Sequence, residues 1–305
     1  MHLISNYNKG GLMANATRGA RPIKDLEIKE HYDSFAYTPV SLPEYADVWR
    51  NWLTYTTNKS ILGLDNFAYA DYTQGTSQTF DQFALRNAGK NPIIVLNGEF
   101  QYHACISKHL DFKSVDPDEY FFSASPIPIQ RSAALIISNP FSDYGCTHPY
   151  FESIMDICND LDISVCLDLA YWGISKGIDI NLNNYPAIKE VTCSLSKPFY
   201  TLENHRVGIR FTRDYVDDGI SMINEVSMQN TYSMSLGVHY MRHFGPDWMW
   251  EKYRNKYEKI CSEQELIYTD TVIFGLGDET RHKQYSRGVP HNYRVCISEF
   301  LGDIK

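Results

Sequence analysis

No apolar run in this sequence reaches the roughly 18 residues that a membrane-crossing helix needs. The opening residues also lack the short apolar core of a secretory leader, so a cytoplasmic protein with no membrane partner is expected. Paired cysteines are missing. The seven cysteines, at 105, 146, 158, 166, 193, 261 and 296, contain no CxxC. No Cys/His spacing reads as a zinc site, so no metal is expected. Cys166 in Ile-Ser-Val-Cys-Leu and Cys193 in Val-Thr-Cys-Ser-Leu sit in apolar runs, as buried free thiols do. An odd count with no disulfide framework fits a reducing compartment. An excess of basic residues is absent too. With 28 Lys and Arg against 37 Asp and Glu, the net charge of −9 disfavours a nucleic-acid partner.

What remains is an ordinary folded composition over 305 residues, 43% hydrophobic, enough for a large domain and a smaller one. Residues 1–35 are polar and read as an N-terminal arm, with 1–20 mobile. The stretch 40–60 has helical spacing of its apolar positions. From about residue 70 strands and helices alternate. Thr76–Ala88 reads as a helix stopped by Gly89. Pro92–Leu96 reads as a strand, Tyr102–Leu110 as a helix and Ala133–Ser138 as a strand. Pro149 opens a helix running to about Asp160. Ile163–Asp168, Glu190–Leu195 and Val207–Thr212 follow as strands. Near-continuous apolar strands alternating with helices predict an α/β fold, a mostly parallel sheet sandwiched by helices. Residues 214–262 look helical, with Met, Tyr and Trp as core. Strand character returns at Thr271–Phe274 and Tyr293–Ser298. The expected division is an arm at 1–35, a large domain at 36–230 and a small α+β domain at 231–305.

In a parallel sheet, ligands bind beyond the carboxyl ends of the strands. Asn139 follows Ala133–Ser138. Asp168 closes Ile163–Asp168, and Tyr171 comes just after it. Ser194, Ser196 and Lys197 end the strand Glu190–Leu195. An amide, a carboxylate, a phenol and an amine at adjacent strand ends match a phosphorylated pyridine aldehyde. Gly75, Thr76 and Ser77 lie where a helix begins, where free N–H groups and the helix dipole suit a phosphate. Taken singly, these residues also read as a surface lysine, a capping carboxylate, a core tyrosine and a turn asparagine.

Together the motifs resemble the class I/II aminotransferases, the aspartate-aminotransferase-like enzymes of fold type I that use pyridoxal 5'-phosphate (PLP). Ser-Leu-Ser-Lys at 194–197 with His-Arg-Val-Gly-Ile-Arg at 205–210 resembles their PLP-lysine motif. Leu-Asp-Leu-Ala-Tyr-Trp-Gly at 167–173 resembles their Asp-x-Ala-Tyr segment, and Ser-Asn-Pro-Phe-Ser-Asp-Tyr-Gly at 138–145 their Asn-Pro loop. Thr-Gln-Gly-Thr-Ser-Gln at 73–78 resembles the phosphate-binding turn. Gly-Glu-Phe-Gln-Tyr-His at 98–103 stands where the ring-stacking segment belongs, and Tyr-Arg-Val-Cys-Ile-Ser at 293–298 resembles the carboxylate-binding strand. The order along the chain is the family's order.

The resemblance implies a role for each residue. Lys197 forms the Schiff base with PLP and carries the proton. Asp168 pairs with the pyridine nitrogen and keeps the ring an electron sink. Tyr171 and Asn139 donate to the ring's phenolic oxygen. Gly75, Thr76, Ser77, Ser194, Ser196 and Arg206 cradle the phosphate, Arg206 through a charge-assisted fork. Phe100 stacks on the ring with His103 nearby. Arg294 forks onto the substrate carboxylate, with Asn139 beside it. The expected reaction moves an amino group between an amino acid and a 2-oxo acid, in a homodimer with interfacial sites. The chain is short for this family, and the spacings from Phe100 to Asn139 and from Asp168 to Lys197 are compressed, so the small domain is reduced. Tyr69 and Tyr72 are substrate-side candidates by position. The rival expectations are a decarboxylase or β-lyase on the same fold, and a non-catalytic PLP-fold protein that keeps or loses PLP and serves in binding or regulation.

Overall fold

The computed structural model describes residues 19–88, 92–110, 112–115, 133–286 and 292–304. Residues 1–18 of the expected arm and the expected helix stop at Gly89 lie outside that set.

Seven strands make the central sheet: β2 (Tyr69–Thr73), β3 (Ile93–Leu96), β4 (Phe112–Val115), β5 (Ala134–Ser138), β6 (Ser164–Asp168), β8 (Ile188–Ser194) and β9 (Gly208–Thr212). Their spatial order is β2-β9-β8-β6-β5-β3-β4. The neighbours from β8 to β4 pair in parallel, whereas β9 runs antiparallel to both β8 and β2. The expected sheet is therefore present, with one reversed strand that the sequence pattern did not reveal. Two small ladders complete the strands: β1 (Ser60–Leu62) beside β7 (Asp179–Asn181), and β10 (Phe274–Gly277) against β11 (Tyr293–Cys296).

The apolar strands are filled on both faces, as a sheet covered on both sides requires. Ile94, Leu96, Leu135, Ile137, Val165 and Leu167 face one core. Their alternating neighbours Ile93, Val95, Ala134, Ile136 and Cys166 face another, under Phe80 and Phe83 of helix α3 (Thr76–Asn87). The larger core takes in Tyr45, Trp49, Trp52 and Leu53 of helix α2 (Leu42–Thr54), whose N-cap is Ser41. It also takes in Met234, Tyr240, Met249 and Tyr257 from the helices Thr231–His243 and Trp248–Glu263, the expected Met- and Tyr-rich core.

Two expected elements differ. Tyr102–Leu110 contains only a single helical turn, His103–Ile106, although Tyr102, Ile106 and Leu110 pack against the smaller core. The strand expected at Thr271–Phe274 begins at Phe274. Before it, the Thr269 and Thr271 hydroxyls bond each other at 3.0 Å, and Thr269 caps the Phe274 carbonyl.

A fully buried Arg210 ties β9 to its neighbours through Asp71 and Asp218, each at 2.6 Å. Two residues earlier, Gly208 brings the start of β9 against the turn before α3. A Cβ there would stand 2.7 Å from Gly75 Cα and 2.9 Å from Gly75 N. Gly208→Ala is therefore expected to cost about 2 kcal/mol in urea unfolding, the usual scale of overpacking. Gly245→Ala, with open space at its Cβ, is expected to be near neutral in the same measurement.

Candidate active site

The sheet brings the chemistry-bearing residues to one end. Ser138 pairs with Asp168, Ser194 with Gly208, and Gly208 with Thr73. Because β9 is reversed, its first residue lies beside the last residues of β2 and β8. Beyond this row opens a cavity of about 330 Å³. Lys197, Asp168 and Tyr171 line it together with Ser194, Ser196 and Arg206, and so do Thr76, Ser77, Phe100 and Arg294.

Helix α3 presents its first turn, Thr76 and Ser77, to the cavity. Its N-cap is Gly75, at φ +79° and with no side-chain cap, so the leading N–H groups stay available. The Arg206 guanidinium lies against Gly75, where a Cβ would stand 2.8 Å from Nη2, and it donates to Ser77 Oγ at 2.7 Å. The Ser194 and Ser196 hydroxyls bond each other at 2.7 Å alongside. Helix N–H groups, three hydroxyls and a guanidinium form an anion cradle.

Asp168 lines the same cavity. Its Oδ1 accepts from Ala170 N at 2.9 Å. Burial pushes its carboxyl up to about 8, and the Glu99 carboxylate pushes the same way. The Ala170 N–H and the Lys197 charge oppose them. Glu99 itself accepts from Ser138 N and Ser138 Oγ, both at 2.7 Å. Asn139 is not a cavity-lining residue, but it is fully buried between Ser138 and Pro140, which are. Its Oδ1 accepts from Thr147 Oγ1 at 3.1 Å, and its Nδ2 has no partner among the described residues.

Lys197 Nζ donates to the Ala20 carbonyl at 3.0 Å, so the segment at 19–20 covers the amine. Arg294 is buried and donates to the Tyr171 hydroxyl at 3.0 Å and to the Ser142 carbonyl. Phe100, 40% exposed, lies in the cavity wall and stacks at 5.9 Å on Tyr102, which also lines it. His103 turns away, packing at 4.8 Å on Phe80, where burial holds its pKa down to about 3. Neither tyrosine proposed by position lines the cavity in this chain. Tyr69 is on the surface against Tyr215, and Tyr72 is core and donates to the Arg206 carbonyl at 3.3 Å.

Sequence reasoning missed Ala20, Glu99, Tyr102 and Ser142. Glu99 carried a signal: a carboxylate three residues beyond an apolar strand, within Asn-Gly-Glu-Phe. The other three touch the site only through tertiary packing.

No family model matches the sequence, and no curated protein does. Solved structures match its fold. A PLP-bound putative aminotransferase from Clostridium difficile 630 aligns at TM-score 0.66 and 12% identity, over 89% of this chain and 83% of that one. The C-S lyase of Staphylococcus hominis aligns at 0.61 and 13%, over 89% and 82%. The L-threonine-O-3-phosphate decarboxylase of Porphyromonas gingivalis aligns at 0.58 and 15%, over 92% and 93%. The fold is that of the class I/II aminotransferases, fold type I.

A carboxyl raised by burial binds its proton more tightly folded than unfolded. Its contribution to stability is full at low pH and is lost as the pH rises through about 8. Chemical denaturation of the ligand-free protein between pH 5 and 8 is expected to show stability falling on the order of 1 kcal/mol per pH unit. Asp168→Asn is expected to flatten that slope.

Proposed function

We propose that the chain is a PLP-dependent aminotransferase, moving an amino group between an amino acid and a 2-oxo acid. The observation that carries this reading is one cavity lined by an amine, a buried carboxyl of raised proton affinity and an anion cradle. A flat, phosphorylated, basic heterocycle satisfies all three. The orphaned Asn139 Nδ2 supports the fit, since a buried donor with no partner costs roughly 1–3 kcal/mol until something accepts from it.

Lys197 would hold the cofactor covalently through its amine, and Asp168 would take the ring nitrogen. Gly75, Thr76, Ser77, Ser194, Ser196 and Arg206 would bind the phosphate. Tyr171 and Asn139 would donate to the ring oxygen, and Phe100 would cover one face. When bound, PLP supplies an electron sink for the bond broken at the substrate's α-carbon. Arg294 forks onto the α-carboxylate and, through Tyr171, couples substrate binding to the ring side of the site. The Lys197 amine would serve as the general base that takes the α-proton and returns it. The Ala20 carbonyl accepts from that amine and holds it in place. The enzyme works as a cytoplasmic homodimer, as in the family its motifs resemble.

PLP added to the purified protein is expected to give a visible absorption band. Borohydride reduction followed by peptide mapping is expected to find the cofactor on Lys197. A band that persists in Lys197→Ala, or an adduct elsewhere, sinks the reading. An amino-acid screen then separates the reactions. Oxo-acid formation that requires an acceptor marks a transaminase, whereas carbon dioxide or sulfide released without one marks a decarboxylase or lyase. Arg294→Lys, which loses the fork but keeps the charge, is expected to raise KM for the amino acid roughly 10–100-fold with a smaller change in kcat.

A further inference from the structure

Away from the cavity, three imidazoles meet between two helices. His239 and His243 stand one turn apart on the helix Thr231–His243, and His31 reaches them from helix α1 (Leu26–Asp33). One ring nitrogen of each lies within 4.8 Å of the other two. His31 Nδ1 and His239 Nε2 are 3.2 Å apart. The His243 ring centroid is 4.6 Å from that of His31 and 4.4 Å from that of His239.

A single hydrogen bond between two neutral rings accounts for the 3.2 Å contact but not for the third ring. A metal accounts for all three. Tetrahedral zinc with Zn–N bonds of roughly 2.0–2.1 Å sets its ligand nitrogens about 3.3 Å apart. The His31–His239 pair already has that spacing, and closing the widest edge takes about 1.5 Å, within reach of side-chain rotation. The His243 Nδ1 contact with the His239 carbonyl at 2.7 Å fixes its tautomer and leaves Nε2 as the electron-pair donor. His243 also ends its helix, where the negative pole of the dipole favours a cation.

We propose that His31, His239 and His243 form a site for a borderline divalent transition metal, zinc first, with water in the fourth position. The ligand type fits: imidazole suits zinc, copper and nickel and not magnesium or calcium. The metal clasps α1 to the helix Thr231–His243. Because α1 lies a few residues after Ala20, whose carbonyl holds Lys197, the clasp also steadies the segment that covers the catalytic amine. None of the three histidines lines the cavity, so the site stands independently of the proposed reaction.

Full-length protein, free of any purification tag, is dialysed against EDTA and titrated with zinc chloride in competition with a chromophoric chelator. About one zinc per chain is expected, bound at micromolar concentration or tighter. Roughly tenfold or greater loss of affinity is expected in His243→Ala and in His31→Ala, and none in Cys105→Ala, which removes an exposed thiol. Zinc at about 100 times Kd is expected to raise the Tm by about 5 °C in the parent and not in His243→Ala. His243 is exposed, so that variant is expected to fold, which circular dichroism checks. No binding at about 100 µM zinc, or unchanged affinity in both histidine variants, overturns the proposal.

Discussion

The start of β9 lies between the last residues of β2 and β8, with Gly208 opposite both Thr73 and Ser194. On this register the whole candidate site depends. Because β9 is antiparallel to both neighbours, the chain enters it at the same end of the sheet where β2 and β8 finish. Arg206 comes two residues before that row, Lys197 three residues after Ser194, and Gly75 two residues after Thr73. A slip of one residue would turn every side chain of β9 to the opposite face and carry Arg206 away from α3. Gly208 permits the close approach because a Cβ there would collide with the Gly75 backbone.

The sheet carries buried charges of two kinds. Arg210 is fully buried but satisfied, held by Asp71 and Asp218, and Arg86 joins Asp218 to Glu190 nearby. Those ions stabilise because each has its counter-charge in place; removing one partner would leave the others desolvated. Asp168 is different. It is as buried as they are but forms no ion pair among the described residues, and Glu99 raises its proton affinity further. A buried carboxyl that is costly to ionise in the empty protein is a good partner for a cationic ring nitrogen, which would restore its charge by pairing. Groups with strongly perturbed proton affinity in a cleft are where binding chemistry concentrates. The Lys197 amine, bonded to a backbone carbonyl of the 19–20 segment, completes a site held ready by neighbours distant in sequence.

Several site residues were legible from local chemistry alone. Asp168 and Ser194 stand at the ends of apolar strands, and Thr76 opens a helix after a glycine, so their placement follows from strand period and helix capping. Lys197 and Arg206 were legible only as parts of an ordered set of motifs, since a lysine after a turn has no distinguishing signal. Tyr72 was misjudged because strand position does not say which face is core; packing against Tyr45 decided it. His103 was placed near Phe100 by sequence proximity, and its ring does meet Phe100 edge-on at 6.3 Å, but it packs closer, at 4.8 Å, on Phe80 and does not line the cavity. The three-histidine cluster was invisible for a simpler reason. His31 and His239 are separated by 208 residues, and their meeting depends on how α1 packs.

The sequence by itself determined the alternation of strands and helices, the two-faced apolar strands and the residue types waiting at their ends. Those features depend on interactions within a few residues, and periodicity records such interactions directly. The tertiary structure alone decided the reversal of β9, the cover that Ala20 places over Lys197, the burial that shifts Asp168 and the contact of α1 with the histidines of a distant helix. Each of these depends on which surfaces exclude water from one another, a property of the folded whole that no short stretch of chain contains.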